Sequence, residues 1–134
     1  MTALDLRQVS FSYESAPVIR NLSLALPVAR LTGLMGANAS GKTTLLKLMA
    51  GILHPSSGEI LINGRPINRL KFEDRAQAVA YVPQEFAPAF PFTVREVALL
   101  GRSLISPGWF YDSPSNLRIA DDALATVGIA HKVA

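Results

Sequence analysis

The chain opens with apolar residues at alternate positions, in two phases. Leu4 and Leu6 share one phase, and Val9, Phe11 and Tyr13 share the other after a one-residue slip. Side chains alternate faces along a strand, and one extra residue moves the next set across, so the pattern predicts a half-buried strand with a bulge at the slip. A short loop containing Pro17 follows. Residues 21–26 then put Leu22, Leu24 and Leu26 on one face and Asn21, Ser23 and Ala25 on the other, a second strand with one wet face. At Arg30–Met35 small and apolar groups run almost without interruption, which predicts a strand covered on both faces. Leu45, Leu46 and Met49 recur at helical spacing and Gly51 stands where a helix stops, so residues 42–50 read as a helix.

Further along, EILINGRPI alternates around Asn63-Gly64, a tight-turn pair, and returns the chain to the antiparallel layer. Residues 70–77 predict a brief helix, and Ala78–Val82 a second core strand ended by Pro83. From Glu85, EFAPAFPF is too dense in proline and phenylalanine for a regular element and must run over a surface. Thr93 and Glu96 have the spacing of a capping box, opening a helix through VALLG. Residues 105–114 are a loop. A last helix covers roughly Ser115–Val127, with Leu117, Ala120, Leu124 and Val127 on one face and Gly128 closing it. An antiparallel layer followed by strand–helix alternation places the fold in the α/β class.

Composition adjusts this picture only at the edges. A chain of 134 residues, 49% hydrophobic and 17% charged, can bury one core without staples. No uninterrupted apolar run of about 18 residues appears, so no membrane span is encoded. Asp5 interrupts the N-terminus where a secretory signal needs a continuous apolar stretch, which predicts a cytoplasmic chain. The absence of cysteine excludes a disulfide scaffold and any thiolate metal site. A net charge of +3 without a clustered Lys/Arg stripe reads as ordinary solubility, and no nucleic-acid partner is expected. His54 and His131 lie in turn and tail contexts and read as solvated surface residues.

The chemistry concentrates in GANASGKTT, residues 36–44. Its first eight residues fit GxxxxGK[ST], a phosphate-binding loop, between a predicted buried strand and a predicted helix. Several backbone N–H groups converging at the positive end of a helix hold a polyphosphate well, and side chains at Gly36 and Gly41 would obstruct that approach. In this pattern Lys42 reaches toward the terminal phosphates, and the Thr43 hydroxyl completes the shell of a magnesium ion bridging them. Ala37, Asn38, Ala39, Ser40 and Thr44 complete the cradle.

At this point the chain resembles the ATP-binding subunit of ABC transporters, along essentially its whole length and in the family's order. Three motifs carry the resemblance: Tyr13 in FSY, GANASGKTT, and YVPQ. The resemblance implies that Tyr13 stacks on adenine and that Gln84 contacts the magnesium and the attacking water. As an isolated strand-end residue Tyr13 would be ordinary packing; its place ahead of the phosphate loop favours stacking, which contributes on the order of 1–3 kcal/mol. The implied fold is a phosphate-loop NTPase with an incomplete RecA-like core, an N-terminal antiparallel β layer and the start of a helical subdomain. Its parts would be residues 1–30 and 58–68 (β layer), 31–57 and 69–84 (core), and 85–134 (glutamine loop and partial helical subdomain). FPFTVREVALLGRSL, a spacer with GWF, and ADDALATVGIAHKVA look like the branch serving importers of iron-siderophore, haem, cobalamin or metal ions. Gly101 and Arg102 are the most branch-like pair there, and equally suit a helix cap and a last-turn cation.

The resemblance further implies ATP and magnesium as cofactors, a head-to-tail dimer with a second nucleotide-binding subunit, and a membrane permease met near Phe86–Arg102. The subunit would sit on the inner face of the cell membrane. Phe86, Phe90 and Phe92 suit either that surface or the anchoring of a loop onto the core. Two departures bear on function. Ala39 stands where the family usually has glycine, so the loop is strained if its backbone there requires positive φ. The family's signature segment, its strand ending in a catalytic glutamate and its switch histidine would follow Ala134, so this chain is expected to be the N-terminal half, binding ATP and hydrolysing it slowly if at all. The rival classes are a soluble phosphate-loop kinase or GTPase, disfavoured by Tyr13 and the opening antiparallel strands, and a non-catalytic nucleotide-binding module.

Overall fold

A computed structural model of the chain describes residues 2–85, 91–102 and 113–129, which fall in two compact units, Met1–Tyr81 and Val82–Ala134. In the first unit β1 (Thr2–Tyr13), β2 (Ala16–Pro27), β3 (Ser57–Ile62) and the short β4 (Arg65–Pro66) form an antiparallel sheet in the order β2-β1-β3-β4. The predicted slip in β1 is a bulge: register shifts between Leu6 and Val9 on one side and between Arg7 and Ser10 on the other, and Gln8 sits at φ 50°. Gly58 faces it at φ +81°, where a Cβ would lie 2.4 Å from the carbonyl oxygens of both Arg7 and Gln8.

The expected loop around Pro17 is shorter than the sequence indicates. Glu14 and Ser15 make the whole turn, and Pro17 pairs with Ser12 inside β2. Because β2 is the edge strand, the N–H that proline lacks need not serve an inner ladder. The Asn63-Gly64 turn forms as expected, with both residues at positive φ (49° and 77°), the twist that suits a two-residue hairpin.

Helix α1 (Lys42–Met49) packs on this sheet. Leu45 and Leu48 join Leu6, Val9 and Phe11 from β1, Ile60 and Ile62 from β3, and Ile67 in one core, with Met49 partly buried against it. The expected face of Leu45, Leu46 and Met49 is corrected to Leu45, Leu48 and Met49: Leu46 is 44% exposed, because neighbours in sequence point about 100° apart on a helix. Gly51, at φ 70°, ends α1 with its N–H on the Leu48 carbonyl and that of Ile52 on the Lys47 carbonyl, the paired bonds of a glycine-terminated helix. One 3₁₀ turn (Ile67–Arg69) leads to α2 (Phe72–Ala78).

Neither expected core strand is present. Residues 30–35 and 78–82 carry no strand pairing among the described residues, and Leu31, Met35 and Val82 are 103%, 94% and 89% exposed. An apolar run becomes a buried strand only when neighbours supply ladder bonds and cover both faces; the described sheet does neither for these segments.

The second unit holds α3 (Val94–Leu100) and α4 (Pro114–Thr126). The capping box forms: the Glu96 N–H donates to Thr93 Oγ1 at 3.2 Å and the Thr93 N–H to Glu96 Oε2 at 2.7 Å. Those bonds to the carboxylate, from the Thr93 backbone first and its hydroxyl second, hold the Glu96 carboxyl below its ordinary pKa of 4.5. Ser113 caps α4, accepting from the Asn116 N–H at 3.3 Å, with Pro114 in the first turn. The buried stripe of α4 is Asn116, Ala120 and Leu124; Val127, expected on that face, lies past the helix end and is 66% exposed. Arg95 pairs with Asp121 at 3.0 Å, and Arg102 Nε donates to Asn116 Oδ1 at 3.1 Å. Arg102 therefore ties the end of α3 to the start of α4, and Gly101, at φ −63°, stays helical without needing a glycine's freedom. Phe86, Phe90, His131 and most of the loop expected at 105–114 lie outside the described residues.

Candidate functional site

Residues 36–41 form an exposed, irregular turn that runs directly into α1. Asn38 and Ala39 make its bend, closed by the Ser40 N–H on the Ala37 carbonyl at 3.3 Å. Ala39 is left-handed at φ 62°, so the strain expected of an alanine there is present. Gly41 is the N-cap of α1 at φ 91°, and among the described residues no side chain caps the helix start. The first intrahelical bond of the Leu45 N–H goes back to the Gly41 carbonyl, so the amides of Lys42, Thr43 and Thr44 begin the helix without intrahelical acceptors. No acidic side chain occupies the first turn. N–H groups that lack intrahelical acceptors among the described residues coincide there with the positive helix end, which is the arrangement an anion requires.

The two loop glycines differ in what surrounds them, and only Gly41 stands at a φ that glycine favours. A Cβ on Gly36 would meet Ser40 Oγ at 2.9 Å, within the turn itself. At Gly41 it would meet Val18 Cγ1 at 3.0 Å and Ile19 Cδ1 at 3.2 Å, so the N-cap rests directly on β2. Lys42, half-buried, folds back over the turn: its Nζ donates to the carbonyls of Gly36 at 2.8 Å and Ala37 at 2.6 Å. The ammonium is thereby held above the turn with one of its three N–H donors uncommitted to these two bonds. Thr43 is exposed, whereas Thr44 is buried at 8%, so of the two hydroxyls only that of Thr43 is open to solvent.

Tyr13 ends β1 in the same unit and is 46% exposed. Its ring meets Phe11 perpendicularly, centroids 4.9 Å apart. Phe11 pairs across the strands with Ile19, the residue seated under Gly41. The contacts therefore link the loop's N-cap to Tyr13 through Ile19 and Phe11. Sequence reasoning missed Phe11, Val18 and Ile19 as parts of this site; the β-branched pair two residues before a predicted strand was the available signal. Gln84 is exposed, in an irregular stretch of the second unit. The Thr43 hydroxyl oxygen is a hard donor of the kind magnesium accepts while keeping several waters, and so, taken by itself, is the Gln84 amide oxygen.

A glycine-bracketed turn that delivers an uncapped helix start, set beside an antiparallel layer, defines a phosphate-loop protein. The family described as ABC transporter matches residues 19–134. A hemin import ATP-binding protein, HmuV, of Rhizobium meliloti (strain 1021) is 39% identical over 122 residues, covering 91% of this chain and 45% of that protein. An iron(3+)-hydroxamate import ATP-binding protein, FhuC, of Bacillus subtilis (strain 168) is 29% identical over 130 residues, covering 97% of this chain and 48% of that protein. Among solved structures, an ATP-binding subunit of an ABC transporter superposes with a TM-score of 0.78 at 22% identity, over 98% of this chain and 53% of that one. The chain belongs to the ABC transporter family, with its phosphate-loop α/β fold. It spans about half the length of the relatives it matches.

Proposed function

We propose that this chain is the nucleotide-gripping part of an ATP-binding subunit that energises import of a metal chelate or metal ion across a membrane. The observation carrying this reading is the turn at residues 36–44: a helix start that no described side chain caps, an N-cap glycine held left-handed against β2, and an ammonium held over the opening. In this reading the backbone of Gly36, Ala37, Asn38, Ala39, Ser40, Gly41, Lys42, Thr43 and Thr44 cradles the phosphates of ATP. Lys42 adds its charge at the terminal phosphates, and Tyr13 stacks on adenine. Thr43 and Gln84 would hold a magnesium ion, which when bound neutralises phosphate charge; Gln84 also orients the attacking water.

The cargo class rests on the branch-like segment that begins at Phe90 and on relatives named for the import of hemin and iron(3+)-hydroxamate. The partners in this reading are a second nucleotide-binding subunit, head to tail, and a membrane permease met near Phe86–Arg102, which places the protein on the inner membrane face. The β layer is residues 1–30 and 58–68, the core 31–57 and 69–84, and the remainder the glutamine loop with the start of a helical subdomain. Hydrolysis is assigned to a protein of the relatives' length, and nucleotide binding to the present residues.

Calorimetric titration with magnesium and ATP tests the reading. Lys42→Ala removes the charge above the turn and is expected to weaken triphosphate binding at least about tenfold, the size of one charge-assisted hydrogen bond of about 1.5–3 kcal/mol. Lys47→Ala, at the far end of the same helix, should change it little. Equal losses from the two substitutions would refute the cradle.

A further inference from the structure

We infer that Phe11 is a positioning residue for nucleotide binding: it fixes the Tyr13 ring in the orientation that receives the base, and so sets how much the base adds to affinity. The inference rests on the reading of Tyr13 given above and goes further, assigning a role to a residue that no motif marks. Phe11 and Tyr13 are two apart on β1 and share a face. They differ in environment. Phe11 is 8% exposed and built into the core with Leu6, Val9 and Leu48. Tyr13 is 46% exposed and ends the strand beside the Glu14-Ser15 turn.

A strand-end side chain with nearly half its surface in water has several rotamers open to it, and a base that stacks on it must first select one. The perpendicular ring contact, at 88° between planes with centroids 4.9 Å apart, favours one of them before any ligand arrives. Its anchor is also the cross-strand partner of Ile19, whose Cδ1 lies 3.2 Å from the position of a Cβ on Gly41. The ring that would meet the base is thus held on the same strand pair as the turn that would meet the phosphates, with Phe11 against the ring and Val18 and Ile19 against the turn.

The test separates base affinity from phosphate affinity. Binding of magnesium-ATP and of magnesium-tripolyphosphate is titrated into the 134-residue chain, the Phe11→Leu and Phe11→Met variants, Tyr13→Ala, and the Phe11→Leu/Tyr13→Ala double variant. Both Phe11 substitutions refill the core without a ring, so one reports should the other fail to fold. Expected is a loss of about threefold to tenfold for ATP, the fold-change equivalent of one aromatic pair, with tripolyphosphate unchanged. In the Tyr13→Ala background the Phe11 substitution should have no further effect. Equal weakening of both ligands, unchanged ATP binding, or a Phe11 effect that persists without Tyr13 each overturn the positioning role. If Tyr13→Ala leaves ATP affinity unchanged, or the unsubstituted chain takes up neither ligand, the reading of Tyr13 or of the turn itself fails, and those outcomes differ from the ones that sink Phe11 alone.

Discussion

Ala39→Gly isolates the one place where the phosphate turn departs from the pattern it otherwise matches. Ala39 sits at φ 62°, and the left-handed region costs a residue with a Cβ about 1–2 kcal/mol. Glycine removes that cost but widens the unfolded ensemble, which opposes it by about 0.4–1 kcal/mol. The alanine is exposed, so no packing is lost on truncation. The difference is a net stabilisation of about 0.8 kcal/mol, or about 3 °C in the midpoint for a chain of this size. Affinity should respond differently. The left-handed bend is already adopted in the unliganded turn, so its cost appears on both sides of the binding equilibrium and cancels, leaving the ATP dissociation constant within about twofold. Differential scanning fluorimetry gives the first quantity and calorimetry the second. A lowered midpoint would refute the strain. An unchanged midpoint with tenfold tighter ATP, equivalent to about 1.4 kcal/mol, would show that the bend forms only on binding.

Two further substitutions probe the scaffold. Gly58→Ala places a methyl 2.4 Å from two backbone oxygens of the β1 bulge at φ +81°, and should cost about 3 kcal/mol or more in a urea titration; a loss under about 1 kcal/mol would show that the bulge yields easily. Glu96→Gln tests the α3 cap. The folded carboxyl is held below 4.5 by Thr93, so its contribution is present above the unfolded pKa and lost as the pH falls through the folded one. The stability gap between wild type and Glu96→Gln should therefore be constant near neutrality and shrink below about pH 4.5; a gap that stays constant down to pH 3 would exclude a charged cap.

What could be read from the sequence was what is decided within a few residues. The β1 bulge, the Asn63-Gly64 turn, the Gly51 helix stop and the Thr93–Glu96 box each follow from local backbone chemistry, and each is present. The turn at residues 36–44 is likewise local, but the positive φ of Ala39, a condition in the sequence reading, and that of Gly41 are fixed by the structure. Residues 30–35 and 78–82 carry a strand pattern without forming strands, because that pattern describes neighbours rather than the segments themselves. A run such as LTGLM records the covering that a parallel sheet would supply, and the exposure of Leu31 and Met35 shows that the described residues do not supply it. The seat of Gly41 was hidden for the same reason. Val18 and Ile19 lie more than twenty positions upstream in a strand whose start carries the loop signal of Pro17, and the pairing of β2 with β1 sets them beneath the helix start. The turn proposed to grip phosphate is thus written locally, whereas its alignment with Tyr13 is written in strand register. A one-residue slip of β2 against β1 would leave GANASGKTT intact and move the wrong side chain under its N-cap.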